Sequence, residues 1–228
     1  MTRLSETRVQ IAALQYLERK YQRWARGGRV FSDIEVHTRR KAGGKRADGL
    51  LAYRSWIGGT RVVSMEAKSY NTLRAIRPRL HVWQFLGNCA RAGFIICVLS
   101  GAFFTWYRFE DTYWQFAIPI NTMVIGALLY GALTRNHYGH LTVDMIRQLT
   151  QYPANFRWLA VSRDSLGSLS QEKRTALLKI CRHQGVGLLS VNGSGYVEEV
   201  VKARKKSKWF GDFLSVYARE AGIRKELR

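Results

Sequence analysis

The sequence predicts an α/β protein: a mixed sheet flanked by helices and interrupted by a hairpin of two apolar helices. Two observations carry that expectation. Helical stripes and β-forming runs alternate along residues 5–69 and again along residues 140–201, the pattern of one layered domain whose sheet is covered by helices. Between them lie two apolar stretches, Ala92–Tyr107 and Tyr113–Thr134, that contain no charged residue. The chain therefore divides into residues 1–80 for the first half of the core, 81–135 for the hairpin, 136–201 for the second half and 202–228 for a basic amphipathic C-terminal helix.

Taken in order, residues 5–26 read as a helix. Ser5 suits the N-cap, Val9, Ala12, Ala13, Tyr16, Leu17 and Tyr21 recur at steps of three and four, and Gly27-Gly28 ends it. Val30–Val36 is a strand, Arg39–Arg46 a basic loop around a glycine turn, and Leu50–Trp56 and Arg61–Ser69 a strand pair joined through Ile57–Thr60. Beyond the hairpin, His140–Tyr152 carries Leu141, Met145, Leu149 and Tyr152 on one helical stripe, and Phe156–Ser162 is a strand. Ser170–Gln184 is a helix capped by Ser170 and closed by Gly185; Val186–Val191 and Tyr196–Val201 are strands across the turn Asn192–Gly195.

The chain has 228 residues, 37 Lys and Arg against 16 Asp and Glu, a formal charge of +21 and a pI near 10.5. So large an excess calls for a polyanionic partner, nucleic acid or an anionic membrane face, and leaves the fold undetermined. Cys89, Cys97 and Cys181 are odd in number and lack metal-ligand spacing, which argues against a disulfide framework. His137 and His140 lack neighbouring cysteines, which argues against zinc. The polar N-terminus lacks the apolar stretch of a secretory signal, so the globular part is expected in the cytoplasm.

The chemistry concentrates in two neighbouring strands. Asp48 opens one and Glu66-Ala67-Lys68 closes the next, where the side-chain period of two sets Glu66 and Lys68 on one face. An acidic pair offers the hard oxygen ligands that Mg²⁺ prefers, and a lysine beside it can position a water or offset charge developing on a phosphate. Three strand-end charges are common in any α/β chain; the order of elements around these three is what singles them out. That order and spacing resemble the PD-(D/E)xK nuclease superfamily, including its RecB-like and Mrr-like members, over about residues 1–70 and 140–201. Ala47 stands where the motif name has proline.

The resemblance implies a restriction-endonuclease-like fold and hydrolysis of DNA phosphodiester bonds, endo- or exonucleolytic, dependent on Mg²⁺ or Mn²⁺. Asp48 and Glu66 would hold the metal and Lys68 would orient the attacking water. Gln148-Leu149-Thr150-Gln151-Tyr152 resembles the Gln-hydrophobic-x-x-Tyr motif of RecB-like members, with Gln148 and Tyr152 on one helix face. Members of the family often add a first-helix glutamate, which here is Glu6, a residue equally suited to complement its helix dipole. Arg39, Arg40, Lys41, Lys45 and Arg46 are the expected contacts to the nucleic-acid backbone.

A helix needs about 20 residues to cross the hydrocarbon layer, with about 17 as the lower end, so residues 114–133 qualify as a span and 92–107 fall just short. Trp106, Tyr107, Tyr113 and Trp114 cluster at the shared end as an aromatic belt would. Arg74, Arg77, Arg79, Arg91 and Arg135 flank the outer ends, and the joining loop is net acidic; the positive-inside rule then makes both termini and the nuclease domain cytoplasmic, at a bacterial inner membrane. An even number of crossings is also what keeps Asp48 and Gln148 on one side. The alternative is a buried hairpin of two soluble core helices. Pro119 and Asn121 would call for a helix partner or a pore. The tail, with Lys202–Lys208 before Trp209, Phe210, Phe213, Leu214 and Tyr217, suits either an anionic membrane surface or closure of the core. Two other functions compete with the nuclease: a catalytically inactive, membrane-tethered nucleic-acid binder, and a membrane-perturbing effector whose hairpin forms homo-oligomers.

Overall fold

Helix α1 (Glu6–Gln22) forms where the apolar stripe is regular, with the Ser5 hydroxyl accepting from the Arg8 N–H at 3.3 Å and Val9, Ala13, Leu17 and Tyr21 buried. The computed structural model describes the chain apart from residues 1–3, 40–43, 45, 57–58, 70–71, 107–111, 136 and 209–210. Strands β1 (Ala25–His37), β2 (Arg46–Ser55) and β3 (Thr60–Lys68) follow as an antiparallel meander, then a short helix α2 (Leu73–Ile76). β1 begins before the glycine pair expected to precede it. Gly27 and Gly28, at φ of 71° and 67°, absorb a register shift between Ala25 and Val30, a backbone conformation that side chains with a Cβ resist.

The chain next forms a separate compact unit, Arg79–Thr142. It contains β4 (Arg79–Leu80), α3 (Val82–Trp106), α4 (Thr112–Thr134), a 3-10 turn at Tyr138–His140 and β5 (Leu141–Thr142), which pairs with β4 and clips the base of the hairpin. The first unit resumes with α5 (Asp144–Thr150), β6 (Phe156–Ser162), α6 (Arg163–Gly167), α7 (Gln171–Gln184), β7 (Gly187–Val191), β8 (Val197–Val201), a 3-10 turn at Leu214–Val216 and α8 (Glu220–Glu226). The helix expected over His140–Tyr152 thus starts only at Asp144, because pairing with β4 draws Leu141 into a strand.

The six strands lie in the order β1-β2-β3-β6-β7-β8, with β3-β6 and β6-β7 parallel and the remaining pairs antiparallel. β3 and β6 are neighbours although the hairpin unit separates them in sequence, so the sheet is continuous across the insertion. Alternation assigns the faces: Leu51, Tyr53, Val63, Met65 and Ala67 join the cluster under α1. Leu50, Ala52 and Val62 join the cluster on the other side with Leu214, Tyr217, Ile223 and Leu227. The C-terminal segment is therefore a correction to the expected amphipathic helix. Residues 202–208 have no regular structure, and the chain beyond them closes the second face of the sheet, because that face carries an apolar row α1 cannot reach. Trp209 and Phe210 lie outside the described residues.

The hairpin unit follows the opposite rule. Val82–Trp106 and Phe116–Thr134 are long and apolar enough to cross a membrane, with mean hydropathy of 1.6 and 1.7, and only 6% and 11% of their most apolar windows are buried. Core helices of a soluble protein would be mostly buried; here Phe94, Leu99, Leu128 and Leu133 are exposed. At 25 residues α3 is about 37 Å long, and it begins ten residues ahead of the expected 92–107 span, with Arg91 inside it. Tyr107 lies outside the described residues. The two helices touch closely at Gly93, where a Cβ would sit 2.5 Å from the Met123 carbonyl. Asn121 finds a local solution by donating to the Ala117 carbonyl at 2.8 Å, and the Thr122 hydroxyl lies 2.9 Å from the Pro119 carbonyl.

Candidate functional site

Four elements of the first unit, α1, β2, β3 and α5, supply the expected residues to one cleft of about 680 Å³. The β2-β3 register sets Gly49 opposite Met65, which brings Asp48 level with Glu66. One Asp48 carboxylate oxygen accepts from the Ala67 N–H at 3.0 Å and lies 3.5 Å from Lys68 Nζ, and the Gln10 amide donates to the Asp48 carbonyl. α1 delivers Glu6, which accepts from Lys68 Nζ at 2.6 Å and from the Thr72 hydroxyl at 3.3 Å. α5 delivers Gln148, whose amide donates to Glu66 Oε1 at 3.4 Å and to the Tyr152 hydroxyl at 3.1 Å. Tyr152 in turn donates to the Arg46 carbonyl at 2.5 Å.

Glu66 is the unusual group. It is 1% exposed, and its Oε2 is buried without a hydrogen-bond partner. Burial first, then the neighbouring Asp48 carboxyl, push its pKa up to about 8, against the pull of Lys68 and Tyr152. Lys68 responds differently. Burial by itself would lower its pKa, but the hydrogen bond to Glu6 and the charges of Asp48, Glu6 and Glu66 outweigh it and hold the ammonium above its usual range. Tyr152, pushed up to about 12 by burial first and then by Glu66 and Asp48 against the hydrogen bond from Gln148, stays a donor.

A buried carboxylate with one free oxygen, facing a second carboxylate, fits a small hard cation; Mg²⁺ commonly takes one or two carboxylates and completes its shell with waters and phosphate oxygens. Among the described residues no group of three or more His, Cys, Asp or Glu side chains forms a metal cluster. Glu6, a candidate third ligand, is engaged by Lys68 and Thr72 instead, because the lysine lies between it and the acidic pair's other charge.

Of the basic loop, Arg46 lines the cleft and pairs with Glu35 at 3.5 Å, while Arg39 pairs with Glu220 at 2.7 Å and ties the C-terminal segment to β1's end. Arg40, Lys41 and Lys45 lie outside the described residues. Arg147 lines the cleft unanticipated, and Gln10 and Thr72, unanticipated too, hydrogen-bond the Asp48 carbonyl and the Glu6 carboxylate. The signal for Arg147 was present: Asp144, Arg147, Gln148 and Gln151 recur at helical spacing as a polar face opposite the apolar stripe, and all four line the cleft. Comparison with family models, with curated proteins and with solved structures finds no match to this chain.

Proposed function

We propose that this protein is a metal-dependent nuclease with a restriction-endonuclease-like fold, held at a membrane by α3 and α4 and hydrolysing DNA phosphodiester bonds. The observation that carries the reading is the buried Glu66, with a free oxygen and a raised pKa, opposite Asp48 and beside a lysine that stays charged. The order α1-β1-β2-β3, then α5-β6-α7-β7, around a mixed sheet supports the fold assignment, and the exposed apolar surface of the hairpin supports the anchor.

Asp48 and Glu66 would hold Mg²⁺ or Mn²⁺, which when bound supplies Lewis-acid stabilisation of phosphate oxygens and lowers the pKa of water. Gln148 and Tyr152 fix the Glu66 rotamer, so its free oxygen keeps one direction. Lys68, with its charge secured by Glu6 and Asp48, offsets negative charge developing on the phosphate; its raised pKa makes it a poor base and a good electrostatic partner. Arg46 and Arg147 give the cleft a positive rim for the nucleic-acid backbone.

The test is a cleavage assay on detergent-purified protein with Mg²⁺ or Mn²⁺ and duplex DNA, single-stranded DNA and RNA. Asp48→Ala and Lys68→Ala are each expected to lower cleavage by about a hundredfold or more, the scale for losing one group that stabilises developing charge, with detergent extraction unchanged. Undiminished cleavage in both variants sinks the assignment. Binding without cleavage by the wild-type protein would favour an inactive tether, a reading to which the engagement of Lys68 by Glu6 lends weight.

A further inference from the structure

At the other end of α1 from Glu6 the surface opens into a second recess. Two adjoining cavities, of about 480 and 460 Å³, share Lys20 and Trp24 and so form one trough. The C-terminal half of α1 makes one wall, and the turn into β8 with the chain leaving it makes the other. The trough is distinct from the carboxylate cleft: α1 has 17 residues and is about 25 Å long, with Glu6 at its first turn and Trp24 just past its last.

The lining combines rings with cations. Trp24 and Tyr196, 65% and 68% exposed, line the trough, while Tyr21, Phe156 and Trp158 form a recessed floor in which Tyr21 packs 5.3 Å from Phe156. Arg19, Arg23, Arg61, Lys202 and Lys205 contribute positive charge. Among the described residues that line it, Glu199 is the sole carboxylate, and it is neutralised by an ion pair with Lys20, whose ammonium also lies 4.7 Å from the Trp158 ring centre.

We infer that this trough binds single-stranded nucleic acid, with bases stacked on Trp24 and Tyr196 and phosphates on the surrounding arginines and lysines. Rings at intervals along a cationic groove are what unpaired nucleotides require, since every base has a face to stack and every linkage a charge to neutralise. Duplex DNA keeps its bases stacked on each other and would leave the aromatic walls unused. A bilayer surface is met by aromatic side chains that stand proud of a convex face, whereas the floor here is sunk between two walls. An acidic peptide would supply charge without rings.

The inference extends the nuclease reading without depending on it, because stacking and phosphate contact need no divalent metal. The experiment is fluorescence anisotropy with full-length protein in detergent, in EDTA, using a labelled oligothymidine and an abasic strand of equal length and charge. The oligothymidine is expected to bind about tenfold or more tightly than the abasic strand, and Trp24→Ala with Tyr196→Ala to remove that advantage while Trp24→Phe retains most of it. An oligouridine run in parallel tells whether RNA serves as well as DNA. Both side chains are exposed, so melting temperatures should be unchanged; should the double variant fail to fold, Arg23→Glu with Lys202→Glu is expected to weaken binding and flatten its salt dependence. Equal affinity for thymidine and abasic strands, or aromatic variants that bind as the wild type does, overturns the inference. Strand binding through the trough by a protein that cuts nothing would leave it standing and sink only the nuclease reading.

Discussion

The two units of this molecule treat apolar side chains in opposite ways. In the α/β unit they are buried on both faces of the sheet, and the buried polar groups are few, with Glu66 among them. In the hairpin unit the apolar side chains point outward and the polar ones turn inward or back onto the helix: Ser100 meets Thr122 at 2.9 Å, and Thr105 and Thr134 bond to carbonyls one turn earlier. One unit hides its apolar side chains and the other exposes them, as the membrane anchor we propose would do. The contrast also separates how each unit treats its buried polar groups. In the α/β unit, burying Glu66 without a hydrogen-bond partner for one oxygen is a cost with a use; in the hairpin, every hydroxyl just named has a partner, as the anchor we propose would require.

The largest expected effect tests the buried carboxylate. Glu66 has a folded pKa raised from 4.5 to about 8, so between those values the native state binds a proton that the unfolded chain has released. Stability should therefore be fullest below about pH 4.5, fall as pH rises and level off above about pH 8, by up to about 1.4 kcal/mol per pH unit for one proton. Summed over that window the loss is roughly a few kcal/mol. Glu66→Gln keeps the shape and cannot ionise, so chemical denaturation in EDTA should lose this slope, while Mg²⁺ should flatten the wild-type profile by competing with the proton. Parallel profiles for the two proteins would remove the site's defining feature.

Next comes the outward face of the hairpin. Leu99, 65% exposed in the middle of α3, should tolerate arginine if water surrounds it and resist it if lipid does. Leu99→Arg is expected to lower membrane insertion by about 3 kcal/mol, roughly a hundredfold, read as the fraction resistant to carbonate extraction. Unchanged extraction would place the hairpin in water and end the comparison drawn above.

How much of this could be read from the chain differs between its parts. Asp48, Glu66 and Lys68 were legible because strand period and a short turn fix a register, and Gln148 with Tyr152 because helical spacing does. The hairpin was legible from its lack of charge. What the sequence does not carry is the choice among partners. Lys68 has two carboxylates within ion-pair distance, and only packing of α1 decides that Glu6 takes the shorter bond. The apolar residues of the tail were visible, yet nothing local says that Leu214 and Tyr217 would meet the sheet as irregular chain rather than as a helix. The burial of Glu66 is likewise a product of Gln148 and Tyr152 packing beside it, neither adjacent to it in sequence.

The smallest effect probes the inward face of the hairpin. Ser100 and Thr122 meet across the two helices, and whichever hydroxyl accepts there can donate to its own helix, Ser100 to the Cys97 carbonyl or Thr122 to the Pro119 carbonyl, so neither is left without a partner when the other is removed. Interhelical bonds of this kind average about 0.6 kcal/mol in membranes, because the separated helices satisfy the same groups locally. A double-mutant cycle with Ser100→Ala and Thr122→Val, read by unfolding in mixed micelles, should therefore give a coupling near that figure. Gly93, where the backbones touch, sets the geometry more firmly than the hydrogen bond does. A coupling of several kcal/mol would mean instead that the hydroxyl pair holds the helices together, and that the hairpin interior, like the carboxylate cleft, depends on a buried polar contact.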